Sequence, residues 1–199
     1  MHTKNKPTAL ILAAGNSGRM GKPKVFLPYD EHRTFLDKML SVFFSFGCGE
    51  VWVVLNENGM ERAAKENFYK NVHLVLNEHP EKERFYSLQT GLKAIPEHTP
   101  VFVHNGDNPF VDAEVLDALW NAHSEHAVTL PEFQNQGGHP ILLSCEIVQE
   151  LVRETNETQH LNDFLKKYDQ NRMPVNSKGI LVNINTAEDY QKYFGKVLK

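Results

Sequence analysis

From Ala9 to His104 this chain alternates short apolar runs with helix-length amphipathic stretches, and that rhythm restricts it to a small set of architectures. Ala9–Leu12, Glu50–Leu55, Val72–Leu76 and Pro100–His104 are apolar enough for strands buried on both faces. Between them the spacing predicts helices over Thr34–Phe46, Met60–Phe68 and Arg84–Ala94. Repeated βαβ units of this kind give a mostly parallel sheet covered by helices on both faces, a three-layer α/β/α arrangement with ligands at the carboxyl ends of the strands. The second half is less regular. Strands are expected at Ala127–Pro131, Pro140–Ser144 and Gly179–Ile184, with two helices between Glu146 and Tyr168 and a last helix over Ala187–Phe194. No repeat, low-complexity tract or linker interrupts the 199 residues, so one domain is expected.

The first strand runs directly into a glycine-punctuated basic loop, LILAAGNSGRMGKPK, Leu10–Lys24. Leu12, Ala13, Ala14 and Gly15 bring bare backbone to the end of the sheet, where N–H groups can meet phosphate oxygens or a base. Arg19 and Lys24 supply positive charge. The spacing is not G-x-G-x-x-G, and Gly21-Lys22 is followed by Pro23 where a P-loop needs Ser or Thr for magnesium.

The string instead resembles the signature L-A-A-G-x-S-x-R-M-G-x-x-K of the MobA-like nucleotidyltransferases, with each fixed position present from Leu12 to Lys24. That resemblance implies a Rossmann-like fold of the nucleotide-diphospho-sugar transferase type. It also implies an enzyme that moves a nucleoside monophosphate from an NTP to a phosphate-bearing acceptor and releases pyrophosphate. Ser17 and Gly18 join the nucleotide loop on this basis, and Arg19, Lys24 and Asp107 become the catalytic candidates.

Asp107 lies in HNGDNPF, His104–Phe110, just past a strand between a glycine and a proline. Magnesium favours such a carboxylate, and the G-D-x-P-F turn is similar to the one carrying the metal-binding aspartate in the cytidylyltransferase branch. VNINTAEDY, Val182–Tyr190, resembles the closing D-I-D-T-P-E-D motif with asparagines for the acids, which implies Asn183 as second Mg²⁺ ligand. Thr186 is expected to cap the last helix, with Asp189 in its first turn.

RFYSLQTGL, Arg84–Leu92, is similar to the segment that CTP-using relatives set against base and phosphates, which makes Arg84 and Ser87 nucleotide contacts. Both fall near the start of a helix, where the dipole favours an anion. Gly138, His139 and Pro140 match the G-H-P of the cytidylyl branch, which implies Gly138 and His139 at the acceptor. Downstream, NETQHLNDFL at Asn156–Leu165 replaces the G-D-x-G-A-R of that branch. Ser87 and G-H-P lean to CTP; the N-I-N-T ending leans to GTP. Molybdopterin is the acceptor implied by the branch, with sugar, polyol or phosphonate acceptors, or a non-catalytic nucleotide-binding accessory protein, as alternatives.

Composition limits the partners further. With 21 basic against 25 acidic residues, a net charge of −4, the chain lacks the excess of positive charge that general nucleic-acid binding needs. No apolar run approaches the roughly eighteen residues of a membrane span. The two cysteines, Cys48 and Cys145, have no metal-ligand spacing and are expected to be free thiols. With a short polar start and no signal-like stretch, this favours a reducing cytoplasm. Oligomeric state is left open, a homodimer included.

Overall fold

The computed structural model describes residues 7–15, 22–96, 99–156 and 159–195. In chain order the elements are β1 Thr8–Ala13, α1 Phe35–Phe46, β2 Glu50–Leu55, α2 Glu57–Ala63, β3 Val72–Leu76, α3 Glu83–Ala94 and β4 Val101–Asn105. These are followed by α4 Ala113–Asn121, β5 Ala127–Phe133, β6 Gln136–Gly137, β7 Ile141–Leu143, α5 Cys145–Arg153, α6 Leu161–Leu165, β8 Asp169–Pro174 and α7 Ala187–Phe194. The eight strands form one sheet in the order β3-β2-β1-β4-β7-β5-β6, with β8 beside β5. β3, β2, β1 and β4 run parallel, β7 runs antiparallel between β4 and β5, and β5 pairs parallel with β8.

Alternation along the central strands divides the core in two. Ala9 and Ile11 of β1, with Val51, Val53 and Phe102 beside them, pack under α1 and α4 through Phe35, Met39, Phe43, Val115 and Leu119. Leu10, Val54, Val101 and Val103 point the other way and meet Phe85, Leu88 and Leu92 of α3 and Ile147 and Leu151 of α5. This is the period-2 pattern of strands buried on both faces, and it produces the expected three layers. Helix α1 begins with a capping box, in which Thr34 accepts from the Asp37 N–H and Asp37 accepts from the Thr34 N–H, and ends at Gly47 in the left-handed region, φ 111°.

Three expectations need correction. Helix α2 starts earlier and ends earlier than Met60–Phe68, because Asn56 caps it by accepting the Gly59 N–H at 2.9 Å and Phe68 packs on the core from the following loop. The stretch Gly179–Ile184 is not a strand: Lys178–Leu181 forms a 3-10 turn. Its alternating Ile180, Val182 and Ile184 are buried, but its backbone is spent on the sheet's end, where Ile184 N–H donates to the Asp107 carbonyl at 2.8 Å and the Ile180 carbonyl accepts from His139 N–H at 3.0 Å. The last strand is Asp169–Pro174 instead, a polar strand that carries no apolar alternation to announce it. Thr186 caps α7 in a second capping box with Asp189, as expected.

Two fold features fix the end of β4. Gly91 of α3 sits where a Cβ would approach Leu10 Cδ1 at 2.6 Å and Val54 Cγ2 at 2.7 Å, so the helix lies directly on β1 and β2. His104 is fully buried, and its Nε2 donates to the Asn108 carbonyl at 2.6 Å, closing the turn that carries Asp107. Burial, aided by the charge of Arg84 and opposed by the Asn108 bond, lowers the His104 pKa to about 4.

Gly91→Ala should lower stability by about 1–3 kcal/mol through overpacking, against a helix-propensity gain of about 1 kcal/mol, as read by urea denaturation. Because folded His104 titrates near 4 and an unfolded histidine near 6.5, the unfolded chain alone takes up this proton between those values. Its contribution is intact above pH 6.5 and is lost as pH falls, by about 2 kcal/mol at pH 5. His104→Gln retains a donor without a titration and should give a correspondingly flatter dependence of unfolding free energy on pH.

Candidate active site

The order of the sheet reverses at β1: the chain proceeds outward through β2 and β3, then returns to put β4 on the other side of β1. A crevice opens beyond the carboxyl ends of strands at such a switch point. A cavity of about 400 Å³ lies there, between the end of β1, the end of β4 and the first turn of α3. Leu12 and Asn105 are direct register partners, so the basic loop and the Asp107 turn emerge side by side.

Leu12, Ala13, Ala14 and Gly15 line this cavity, as do Lys24, Arg84, Ser87, Asp107 and Asn183. Nine of the sequence candidates thus converge from five separate stretches. Ser17, Gly18 and Arg19 lie outside the described residues. Gly138 and His139 are not among the lining residues: Gly138 is pressed against Ile180, with its Cβ position 2.5 Å from the Ile180 carbonyl oxygen, and the His139 ring reaches Arg84 from behind.

The loop is held from below. Asn56 Nδ2 donates to the carbonyls of Ala14 at 3.2 Å and Gly15 at 3.4 Å while its Oδ1 caps α2. With these carbonyls turned inward to Asn56, the strand end keeps the shape that lets backbone line the cavity. Gly106 must be glycine, since a Cβ there would meet Ala13 Cβ at 2.8 Å, and its N–H donates to the Leu12 carbonyl at 2.9 Å.

Lys24 reaches the cavity from the 3-10 turn Lys24–Phe26, anchored by buried Val25. Its ammonium donates to Asn185 Oδ1 at 2.7 Å and lies 3.5 Å from Asp107 Oδ2. The other Asp107 oxygen, Oδ1, is buried with no hydrogen-bond partner. Such an atom normally costs several kcal/mol unless something accepts its charge. Asn185 was not singled out from the sequence, although the alternation was visible: in VNIN, buried Val182 and Ile184 leave Asn183 and Asn185 together on the outer side.

Arg84 stands at the first turn of α3, half-buried, with its Nε buried and its side chain lining the cavity. Nη2 is 3.5 Å from His139 Nε2, and Nε has no partner. Burial lowers its pKa and the Asp107 carboxylate opposes that shift. Ser87 Oγ donates to the Glu83 carbonyl at 3.2 Å and accepts from Asn77 Nδ2 at 2.8 Å, which leaves it one free lone pair. Neither Asn56 nor Asn77 was picked out in the sequence, where an isolated asparagine resembles any turn residue.

Asp107 and Asn183 offer a carboxylate and an amide oxygen, hard donors that suit Mg²⁺ when it keeps waters and takes phosphate oxygens. Among the described residues no group of three or more His, Cys, Asp or Glu could hold a metal ion on protein ligands alone. No described helix is long and apolar enough to cross a membrane. Both cysteines are free, and burial pushes the Cys48 thiol up to about 12.

The sequence matches the family model of the MobA-like NTP transferase domain over residues 9–172. It is 26% identical over 182 residues to the molybdenum cofactor cytidylyltransferase of Escherichia coli K12, an alignment spanning 91% of this chain and 92% of that one. It is also 26% identical to a probable molybdenum cofactor guanylyltransferase of Methanosarcina mazei, covering 94% and 90%. Among solved structures, Rv0371c from Mycobacterium tuberculosis H37Rv superposes with a TM-score of 0.77 at 25% identity, over 97% of this chain and 100% of that one. The same mycobacterial protein in complex with manganese superposes at 0.74, with 23% identity and the same coverage. The phosphate-loop signature, the carboxylate beside it and the match over most of the chain together make this protein a member of the MobA-like NTP transferase family, a nucleotidyltransferase.

Proposed function

We propose that the whole chain, residues 1–199, acts as one Mg²⁺-dependent domain that transfers CMP from CTP to a small phosphate-bearing acceptor, molybdopterin by preference, and releases pyrophosphate. The observation that carries this reading is the pairing of a buried, unpartnered Asp107 Oδ1 with Lys24 3.5 Å from the other carboxylate oxygen, at the mouth of a nucleotide-sized cavity.

Asp107 and Asn183 would hold the metal, which when bound neutralises phosphate charge and makes the α-phosphorus easier to attack. Backbone N–H groups of the Ala13–Gly15 loop bind phosphate oxygens. Lys24, steadied by Asn185, and Arg19 stabilise charge developing on the α-phosphate; Arg84 offers a planar donor fork to the remaining phosphates. An acceptor phosphate is already ionised at neutral pH, so no side chain need remove a proton, and catalysis is positioning plus electrostatics.

Base choice is supported at Ser87. Its hydroxyl proton is engaged by Glu83 and one lone pair by Asn77, so it meets a ligand as an acceptor. The cytosine 4-amino group matches that need, as do the purine amino groups, and the uracil 4-oxygen does not, so Ser87 supports CTP over UTP. The acceptor assignment is supported by the end-to-end likeness to the Escherichia coli enzyme, compared with 78% of this chain and 68% of the other for a 2-C-methyl-D-erythritol 4-phosphate cytidylyltransferase of Phocaeicola vulgatus.

Thermal shifts with CTP, GTP, UTP and ATP plus magnesium should rank CTP first. At a hundredfold excess over Kd the gain is about 2.7 kcal/mol, several degrees for a chain of this size. A larger shift with GTP would move the assignment to guanylyl transfer. Lys24→Ala and Asp107→Asn should remain folded and lose about 10²–10³-fold in pyrophosphate release with molybdopterin. Unchanged turnover in Lys24→Ala would remove the role given to it, and turnover only with polyol phosphates would reassign the acceptor.

A further inference from the structure

We propose that His139 is a positioning residue that aims the Arg84 guanidinium at the cavity through an unprotonated Nε2. The inference rests on the nucleotide reading of the cavity and gives His139 a role behind Arg84 in place of direct contact with the acceptor.

Arg84 has one side-chain partner among the described residues, the His139 Nε2 at 3.5 Å from Nη2, and its Nε is buried without any. No described carboxylate lies within ion-pair distance of it; Asp107 acts on it only from across the cavity. An arginine stays charged, and a buried charge without a counterion is costly. The cavity wall is therefore built around a cation that awaits an anion from the cavity side, and its orientation depends on what grips it from the other side.

The grip is rigid because the His139 backbone has no freedom. Gly138 N–H donates to the Pro131 carbonyl at 2.9 Å and His139 N–H to the Ile180 carbonyl at 3.0 Å, with the glycine flush against Ile180. Burial and the neighbouring Arg84 charge lower the His139 pKa to about 3, so the imidazole is neutral at any working pH. A neutral ring that accepts at Nε2 carries its proton on Nδ1, and that atom is buried with no partner. An unpaired buried donor costs about 1–3 kcal/mol, which an apolar side chain of similar size would avoid. A histidine that served only as packing would be a poor choice here. A histidine that must accept from a guanidinium fits.

The test has two arms on the full-length protein. Histidine ¹⁵N NMR near neutral pH should show His139 with the proton on Nδ1 and a bare Nε2; a proton on Nε2 would overturn the proposal whatever the ligand. In the second arm the Kd of the nucleotide giving the largest thermal shift is measured for the parent, His139→Phe, His139→Gln, Arg84→Ala and the His139→Phe/Arg84→Ala double variant. His139→Phe should weaken binding roughly tenfold, within the range for hydrogen-bonded neighbours, and His139→Gln, which keeps an acceptor, should recover most of it. In the Arg84→Ala background His139→Phe should have no further effect. Equal losses in both backgrounds, or no loss in His139→Phe, would refute the positioning role. A parent protein that binds none of the four nucleotides would refute the nucleotide reading instead, and the NMR arm would still decide the state of His139.

Discussion

The turn that carries Asp107 is tied down on every side, and the site depends on that. Gly106 N–H reaches back to β1 at Leu12, the Asp107 carbonyl receives Ile184 N–H, and Asn108 donates to the carbonyls of Gly179 and Ile180 while its own carbonyl takes the His104 proton. Two stretches far from it in sequence, the end of β1 and Gly179–Ile184, are fastened through one five-residue segment. So fastened, the turn can hold a carboxylate oxygen that has no partner of its own. A looser turn would let Oδ1 swing round to Lys24, which already lies 3.5 Å from Oδ2.

The central sheet was legible because strands buried on two faces are nearly continuous in apolar residues, and the helices between them show one-sided periodicity. The loop residues stood out for a different reason: small residues, a lysine and an aspartate at fixed spacing are more than a turn requires, and they come together at one cavity. The misreadings share a cause. Gly179–Ile184 has a strand's alternation, but its hydrogen bonds go to the ends of other elements, which no local pattern records. Asp169–Pro174 joins the sheet with hardly an apolar residue, because an edge strand can leave one face in water. Asn56 and Asn77 escaped notice and Asn185 was given no role, since their partners are 42, 10 and 161 positions away.

The electrostatics of the site separate its two sides. Lys24 sits where carboxylate and amide oxygens already share it. Arg84 sits beside the neutral imidazole of His139, with no carboxylate among the described residues in ion-pair range. The two sides thus differ in counter-charge: Lys24 has a carboxylate in ion-pair range, and Arg84 feels that same carboxylate at longer range.

The reversed strand β7 has a consequence for how such a protein can change. Since β7 runs against β4, with Val103 opposite Ile141, its beginning lies at the same end of the sheet as the carboxyl ends of β1 and β4. The hairpin of β5 and β6 therefore delivers Gly138 and His139 to this end of the sheet, where His139 meets Arg84, although they come from the second half of the chain. The first half, through β1, α3 and β4, supplies most of the residues that line the cavity. Insertions and substitutions in the hairpin can reshape what approaches from the far side without disturbing the strand order that builds the near side. Through the contact of His139 with Arg84, a change at the exit of the hairpin is felt in the first half as well.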